Sequence, residues 1–263
     1  TIKTAFPKRN SQHIALKFTA MNVEYHRWYS RNLDRDMEYK VFGHDGHGML
    51  AFPSQDGRYY DFADRGMIHE LTPWIEAGKM RVICVDGIDW ETWSNKNGDN
   101  RWRIEQHERW FHYVVDELMP NIRYWNNETF MVTGCSMGAF HAANFFFRRP
   151  DLYDTLIAMS GLYHSRDGFP NYSDELTYAN SPQDFLRQMP EDHPWMQMYR
   201  QRRIVVTIGQ GRWEEDTLWS TRELDTILAE KHVPAWFDYW SNAYDHDWPT
   251  WRRMLPHVIG NIM

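Results

Sequence analysis

Along the chain, short apolar blocks alternate with longer amphipathic segments, and the alternation becomes regular from about residue 47 onward. Before that point, period-two patterns in 22–30 and 37–43 predict two antiparallel strands, joined through the turn-forming residues 32–36. Apolar runs of strand length follow at 48–52, 81–86, 129–135, 155–160, 204–208 and 235–240. Helical spacing predicts helices near 66–77, through 105–124, over 137–148 (stopping before Pro150) and over 218–231, and Pro249 opens a terminal one. The stretch 164–200 is polar and punctuated by proline, and it reads as irregular. Strands that alternate with helices imply an α/β fold: a mostly parallel sheet of eight strands with helices on both faces. In such sheets ligands bind beyond the carboxyl ends of the strands. The pattern is that of one domain over residues 22–263, with residues 1–21 as an extension ahead of it.

Composition narrows the function classes. The chain has 263 residues, 42% hydrophobic and 25% charged, the mix of a globular protein able to bury a sizeable core. Its apolar stretches are only strand-length, too short to span a bilayer, so no membrane partner is expected. The first ten residues are polar and basic, without the apolar segment of a secretory signal, and a cytoplasmic location is the expectation. Net charge is -7, with Lys and Arg scattered, which argues against nucleic acid as a partner. A homo-oligomer is compatible with the sequence. The two cysteines, Cys84 and Cys135, sit in strand-like runs and suggest no disulfide framework. His44 and His47 form a loose pair without a metal-site motif, and no dinucleotide or phosphate fingerprint occurs, so neither metal nor cofactor is expected.

The chemistry concentrates at strand ends. Gly134-Cys135-Ser136-Met137-Gly138 is a G-x-S-x-G match between the strand 129–135 and the helix that follows. That context is what a nucleophile needs, because a sharp strand-to-helix turn lifts the serine hydroxyl above the sheet. A serine hydroxyl is weak until a base takes its proton. Of 13 histidines, His246 lies in the loop after the last strand, where the base of such a fold belongs. His141 and His257 fall inside helices and read as packing or surface residues. The acid should follow the penultimate strand, where Glu214, Glu215 and Asp216 stand in a row, and spacing alone does not choose among them. Aromatic residues are abundant, 14 each of Trp, Tyr and Phe. Tyr59, Trp93, Trp213 and Trp248 fall at or just past strand ends, positions from which they would line a cleft for substrate. Arg58 and Arg166 read as surface charges.

These residues resemble the "putative-esterase" branch of the α/β hydrolases, which includes esterase D (S-formylglutathione hydrolase), enterochelin esterases, feruloyl esterases and mycolyltransferases. Three stretches carry the resemblance: Phe52-Pro53-Ser54-Gln55-Asp56-Gly57, the Gly134–Gly138 elbow, and His246-Asp247-Trp248 with Trp251 one turn later. It extends over roughly residues 22–262. It implies the α/β-hydrolase fold with a short or absent cap. It also implies a serine esterase acting on an ester or thioester of a small or aromatic acyl group through an acyl-serine. Counting back from Leu224, as the enterochelin esterases and mycolyltransferases suggest, makes Glu214 the acid, whereas esterase D has an aspartate soon after the strand. The resemblance further implies an oxyanion hole from the backbone N–H of Met137 and that of Gln55, with Ser54 the neighbouring alternative. An acyltransferase would use the same acyl-enzyme, and the intact Ser136, Glu214 and His246 argue against an inactive binding scaffold.

Overall fold

The computed structural model describes residues 21–123 and 129–263. The extension expected over residues 1–21 therefore lies, apart from Met21, outside the described residues, as does Tyr124 at the end of one expected helix. β1 (Val23–Ser30) and β2 (Arg35–Phe42) form an antiparallel hairpin. β3 (His47–Phe52) leads through a loop and α1 (Asp61–Asp64) to α2 (Met67–Glu76), then β4 (Met80–Val85). A helical rod follows: α3 (Asn100–His112), a π-helical turn (Tyr113–Leu118) and α4 (Met119–Ile122). The π turn sits just ahead of Pro120, whose missing N–H cannot bond back up the helix. β5 (Phe130–Cys135) runs straight into α5 (Met137–Arg148), and β6 (Tyr153–Met159) comes next.

After β6 the sequence pattern predicts irregular chain, and here the structure differs. Three short helices occupy the stretch: α6 (Glu175–Ala179), α7 (Pro182–Gln188) and α8 (Pro194–Gln201). Each has its own start signal: a capping box between Asp174 and Thr177 for α6, and proline in the first turn of α7 and α8. β7 (Arg203–Ile208), α9 (Glu215–Glu230), β8 (Trp236–Tyr239) and α10 (Trp248–Ile262) complete the chain.

The eight strands form one sheet in the order β1-β2-β4-β3-β5-β6-β7-β8. β2 is antiparallel to both β1 and β4, and all other neighbours are parallel. The central strands are apolar throughout because both faces are covered, and successive side chains feed opposite cores. On β3, Leu50 and Phe52 join the core beneath α5 and α9, while Met49 and Ala51 join the core beneath α2 and α10. This arrangement is the α/β-hydrolase fold. Cys84 and Cys135 are buried free thiols in the second core. No described helix is long and apolar enough to cross a membrane.

Candidate active site

The loops at the carboxyl ends of β3, β5, β6, β7 and β8 converge on Ser136. The turn after β5 gives Ser136 a φ of 57°, in the left-handed region that L side chains rarely adopt. Two glycines permit it. A Cβ on Gly134 would lie 2.2 Å from the carbonyl of Gly138, and one on Gly138 would lie 2.5 Å from the carbonyl oxygens of Phe52 and Pro53. The first turn of α5 thus packs directly on backbone at the end of β3. The Ser136 N–H donates to Met159 O at 2.9 Å, which ties the turn to β6.

Ser136 Oγ lies 2.9 Å from His246 Nε2, and His246 Nδ1 lies 3.0 Å from Glu214 Oε2. Glu214 immediately precedes α9 and is 1% exposed. Its Oε2 also accepts from Thr217 Oγ1, and its Oε1 accepts from Ser160 Oγ at 2.6 Å. Ser160 in turn accepts from Trp251 Nε1 at 3.0 Å, and the Trp251 ring meets the His246 ring edge to face at 5.0 Å. Glu215 and Asp216 are exposed, as helical spacing requires once Glu214 points inward. Burial pushes the Cys135 thiol, next to Ser136, well above its ordinary range, so it stays protonated.

The loop bearing Glu214 and the loop bearing His246 are joined along their backbones. Gly211 N–H donates to Tyr244 O at 2.8 Å, and His246 N–H donates to Arg212 O at 3.0 Å. The Arg212 guanidinium closes the join on Asp245 at 2.6 Å. Asp245 is thereby turned away from the imidazole. Trp213 has a φ of 63° and is 67% exposed, an uncommon conformation for a bulky side chain.

Beside Ser136 is a cavity of about 200 Å³, with walls that include Trp93, Met137, Phe140, Leu162 and Trp213. His164 and Asp167, from the start of the excursion after β6, are also among its lining residues. Burial holds His164 below the usual histidine range, so it is neutral there. A shallower depression bordered by Arg166 and Trp219 adjoins it, sharing Leu162, His164, Asp167 and Asp216. The broader depression of about 780 Å³ lined by Trp28, Tyr39 and Arg81 contains none of the residues around Ser136.

Of the four aromatics expected to line a cleft, Trp93 and Trp213 do so and two do not. Tyr59 packs against Tyr25 and Tyr60 near the Arg58 side chain, which is itself held by Asp86 and Glu38. Trp248 is buried at right angles to Phe62 and nearly so to Trp251. Both begin at strand ends but point into packing. His141 pairs with buried Asp89, and His257, on α10, meets the Trp236 and Trp240 rings edge to face. The Ser54 N–H donates to Asp61 at 2.9 Å. Among the described residues, the N–H groups of Gln55 and Met137 have no such internal acceptor. Residues that sequence reasoning missed are Leu162, His164, Asp167 and Ser160, and Trp251 was singled out without its contact to Ser160. The one available signal was the tryptophan a turn after His246.

Comparison with known proteins bears on the family and the fold. Residues 55–262 match the "Putative esterase" family. No match was found among curated proteins. Among solved structures, a ferulic acid esterase superposes with a TM-score of 0.71 at 18% identity, covering 90% of this chain and 96% of that one. An S-formylglutathione hydrolase from Agrobacterium tumefaciens superposes with a TM-score of 0.71 at 12% identity, covering 92% and 96%. MPT51 of Mycobacterium tuberculosis gives 0.68 at 15% identity, covering 92% and 98%. The family match spans most of the sequence, and the chain belongs to the "Putative esterase" family, carboxylic ester hydrolases of the α/β-hydrolase fold.

Proposed function

We propose that the chain is a serine carboxylesterase that works through an acyl-serine, with Ser136 as nucleophile, His246 as general base and Glu214 as acid. The observation that carries this reading is the continuous hydrogen-bonded chain from Ser136 Oγ through His246 to Glu214. Ser136 Oγ attacks the substrate carbonyl carbon as its proton passes to His246 Nε2. Glu214, accepting the Nδ1–H, fixes the tautomer and stabilises the imidazolium. The negative charge on the carbonyl oxygen meets the N–H groups of Met137 and Gln55, aided by the N-terminus of α5. The imidazolium then protonates the leaving alkoxide or thiolate. A water deprotonated by the same histidine hydrolyses the acyl-serine.

The free amides of Gln55 and Met137 support this oxyanion hole over one using Ser54, whose N–H is occupied. A cavity of about 200 Å³ is smaller than the roughly 300–1,000 Å³ of sites for drug-sized ligands. Its aromatic walls suit a short or single-ring acyl group, with Trp93 and Trp213 as the substrate-binding aromatics. The test is labelling with a fluorophosphonate probe together with hydrolysis of nitrophenyl acetate. The native chain should be labelled and active, whereas Ser136→Ala should lose the label and roughly a millionfold in turnover. Labelling that survives Ser136→Ala overturns the reading.

A further inference from the structure

The hydrogen bonds around Glu214 do not stop at the histidine. They continue through Ser160 to Trp251, and their directions are fixed by chemistry. An indole N–H only donates, so Ser160 Oγ must accept from Trp251 Nε1 at 3.0 Å. The single serine proton then goes to Glu214 Oε1 at 2.6 Å. The other oxygen, Oε2, accepts from the Thr217 hydroxyl and from the Nδ1–H of His246, which leaves Nε2 bare toward the Ser136 hydroxyl. The donor-only indole thus fixes where the Ser160 proton points, and the acceptor-only carboxylate fixes the sense of the bond to His246.

Two further features show that Ser160 is specialised for this place. It is fully buried, and its φ is 53°, a conformation in which glycine would be unstrained. Its N–H is bonded to Thr207 O at 2.9 Å, so β7 holds the turn. A hydroxyl is therefore kept at a position where the backbone favours having no side chain. Trp251, meanwhile, lies one turn into α10 and touches the imidazole edge to face at 5.0 Å. A single side chain both ends the hydrogen-bonded chain and braces the ring.

We propose that Ser160 and Trp251 are positioning residues that orient Glu214, and through it His246, for proton transfer from Ser136. This rests on the reading of Ser136, His246 and Glu214 given above. The test compares native chain, Ser160→Gly, Trp251→Phe and the double variant in nitrophenyl acetate hydrolysis, with pH profiles and thermal melting. Ser160→Gly deletes the hydroxyl and relieves the backbone, while Trp251→Phe deletes the N–H and keeps a ring. Ser160→Gly should lower kcat roughly ten- to a hundredfold, as expected for one lost hydrogen bond to a charged group, and Trp251→Phe, which loses a neutral one, roughly two- to tenfold, both with KM within about twofold. The double variant should be little worse than Ser160→Gly, because both act through one chain. Because the carboxylate that faces the imidazole has lost one of its donors, the acid limb of the kcat/KM profile should move. Melting of Ser160→Gly should fall by no more than a few degrees, since relief of the left-handed backbone offsets the burial of Trp251 Nε1 and Glu214 Oε1 without their partner.

An unchanged kcat and acid limb in Ser160→Gly overturns the proposal. So does a loss of kcat matched by a loss of thermal stability with the acid limb unmoved, since that marks a merely structural role. The fluorophosphonate probe separates the two levels of argument. A native chain that is neither labelled nor active overturns this proposal together with the site reading. A labelled native chain with Ser160→Gly labelled equally fast overturns this proposal alone.

Discussion

Replacing Glu214 with glutamine is the most informative single perturbation of the site. The side chain keeps its shape, and its 1% exposure means that no water replaces the lost charge. His246 Nδ1 is 3.0 Å from Oε2, so the charge centres of an imidazolium–carboxylate pair lie about 4 Å apart. At an effective dielectric constant near 20, their attraction is about 4 kcal/mol. The attraction exists only once His246 is protonated, which occurs in the transition state and not in the resting enzyme. Its loss should therefore fall on kcat, by about three powers of ten. If the new amide instead turns its NH2 toward Nδ1, the imidazole must carry its proton on Nε2 and cannot accept from Ser136, and the loss is larger. Stability should change little, because an isosteric neutral group stays within reach of the Ser160 and Thr217 hydroxyls. The assay is kcat for nitrophenyl acetate, beside Glu215→Gln and Asp216→Asn, which alter exposed carboxylates and should each cost severalfold at most. A Glu214→Gln enzyme retaining more than a tenth of native kcat refutes the reasoning. A collapse confined to Asp216→Asn assigns the acid there.

Two other perturbations test the frame of the site. Gly138→Ala puts a methyl 2.5 Å from two backbone carbonyl oxygens, so α5 must move off the β3 loop. Overpacking of that kind typically costs about 1–3 kcal/mol, and a melting point lowered by several degrees with kcat down at least tenfold is expected. Native melting and native kcat together would show that the contact is slack. Away from the site, burial opposes ionisation of Asp154, but hydrogen bonds from His47, Thr129 and Thr155 prevail and draw its pKa down to about 2. A depressed carboxylate contributes stability above its unfolded pKa near 4 and loses it as pH falls toward 2, here about 2 kcal/mol. Asp154→Asn should destabilise the chain at neutral pH and flatten the pH dependence of chemical denaturation between pH 4 and 2. An unchanged slope there would remove Asp154 from the acid response.

Much of this was legible because β strands covered on both faces must be apolar along their length, and such runs stand out between amphipathic helices. The elbow was legible for a local reason: Gly134, Ser136 and Gly138 meet steric demands within five residues. Helices α6 to α8 were not, since five to eight residues give too few turns for a periodicity to register. For α3, Asp99 was an unused capping signal, and its side chain accepts from Trp102 N at 2.8 Å. The aromatic residues show a different limit. A position at a strand end does not reveal which way a side chain points, so Trp93 and Tyr59 read alike, yet one lines the cavity and the other packs outside it. Ser160 and Trp251 touch across 91 residues of chain, and no local pattern announces such a pair.

The position of each group in the sheet carries a further consequence. Ser136 follows β5, flanked by β3 and β6 in the middle of the sheet, whereas Glu214 and His246 sit on loops that follow β7 and the four-residue edge strand β8. An edge strand has one hydrogen-bonded neighbour, and it opens at lower free energy than a central one. The joined backbones of the two loops make them open together rather than one at a time. On the proposed reading of the site, opening of this edge would part His246 from Ser136 and leave the turn after β5 in place. Activity should therefore fall at a lower temperature than the fold melts, and coincident midpoints for kcat and for melting would refute this.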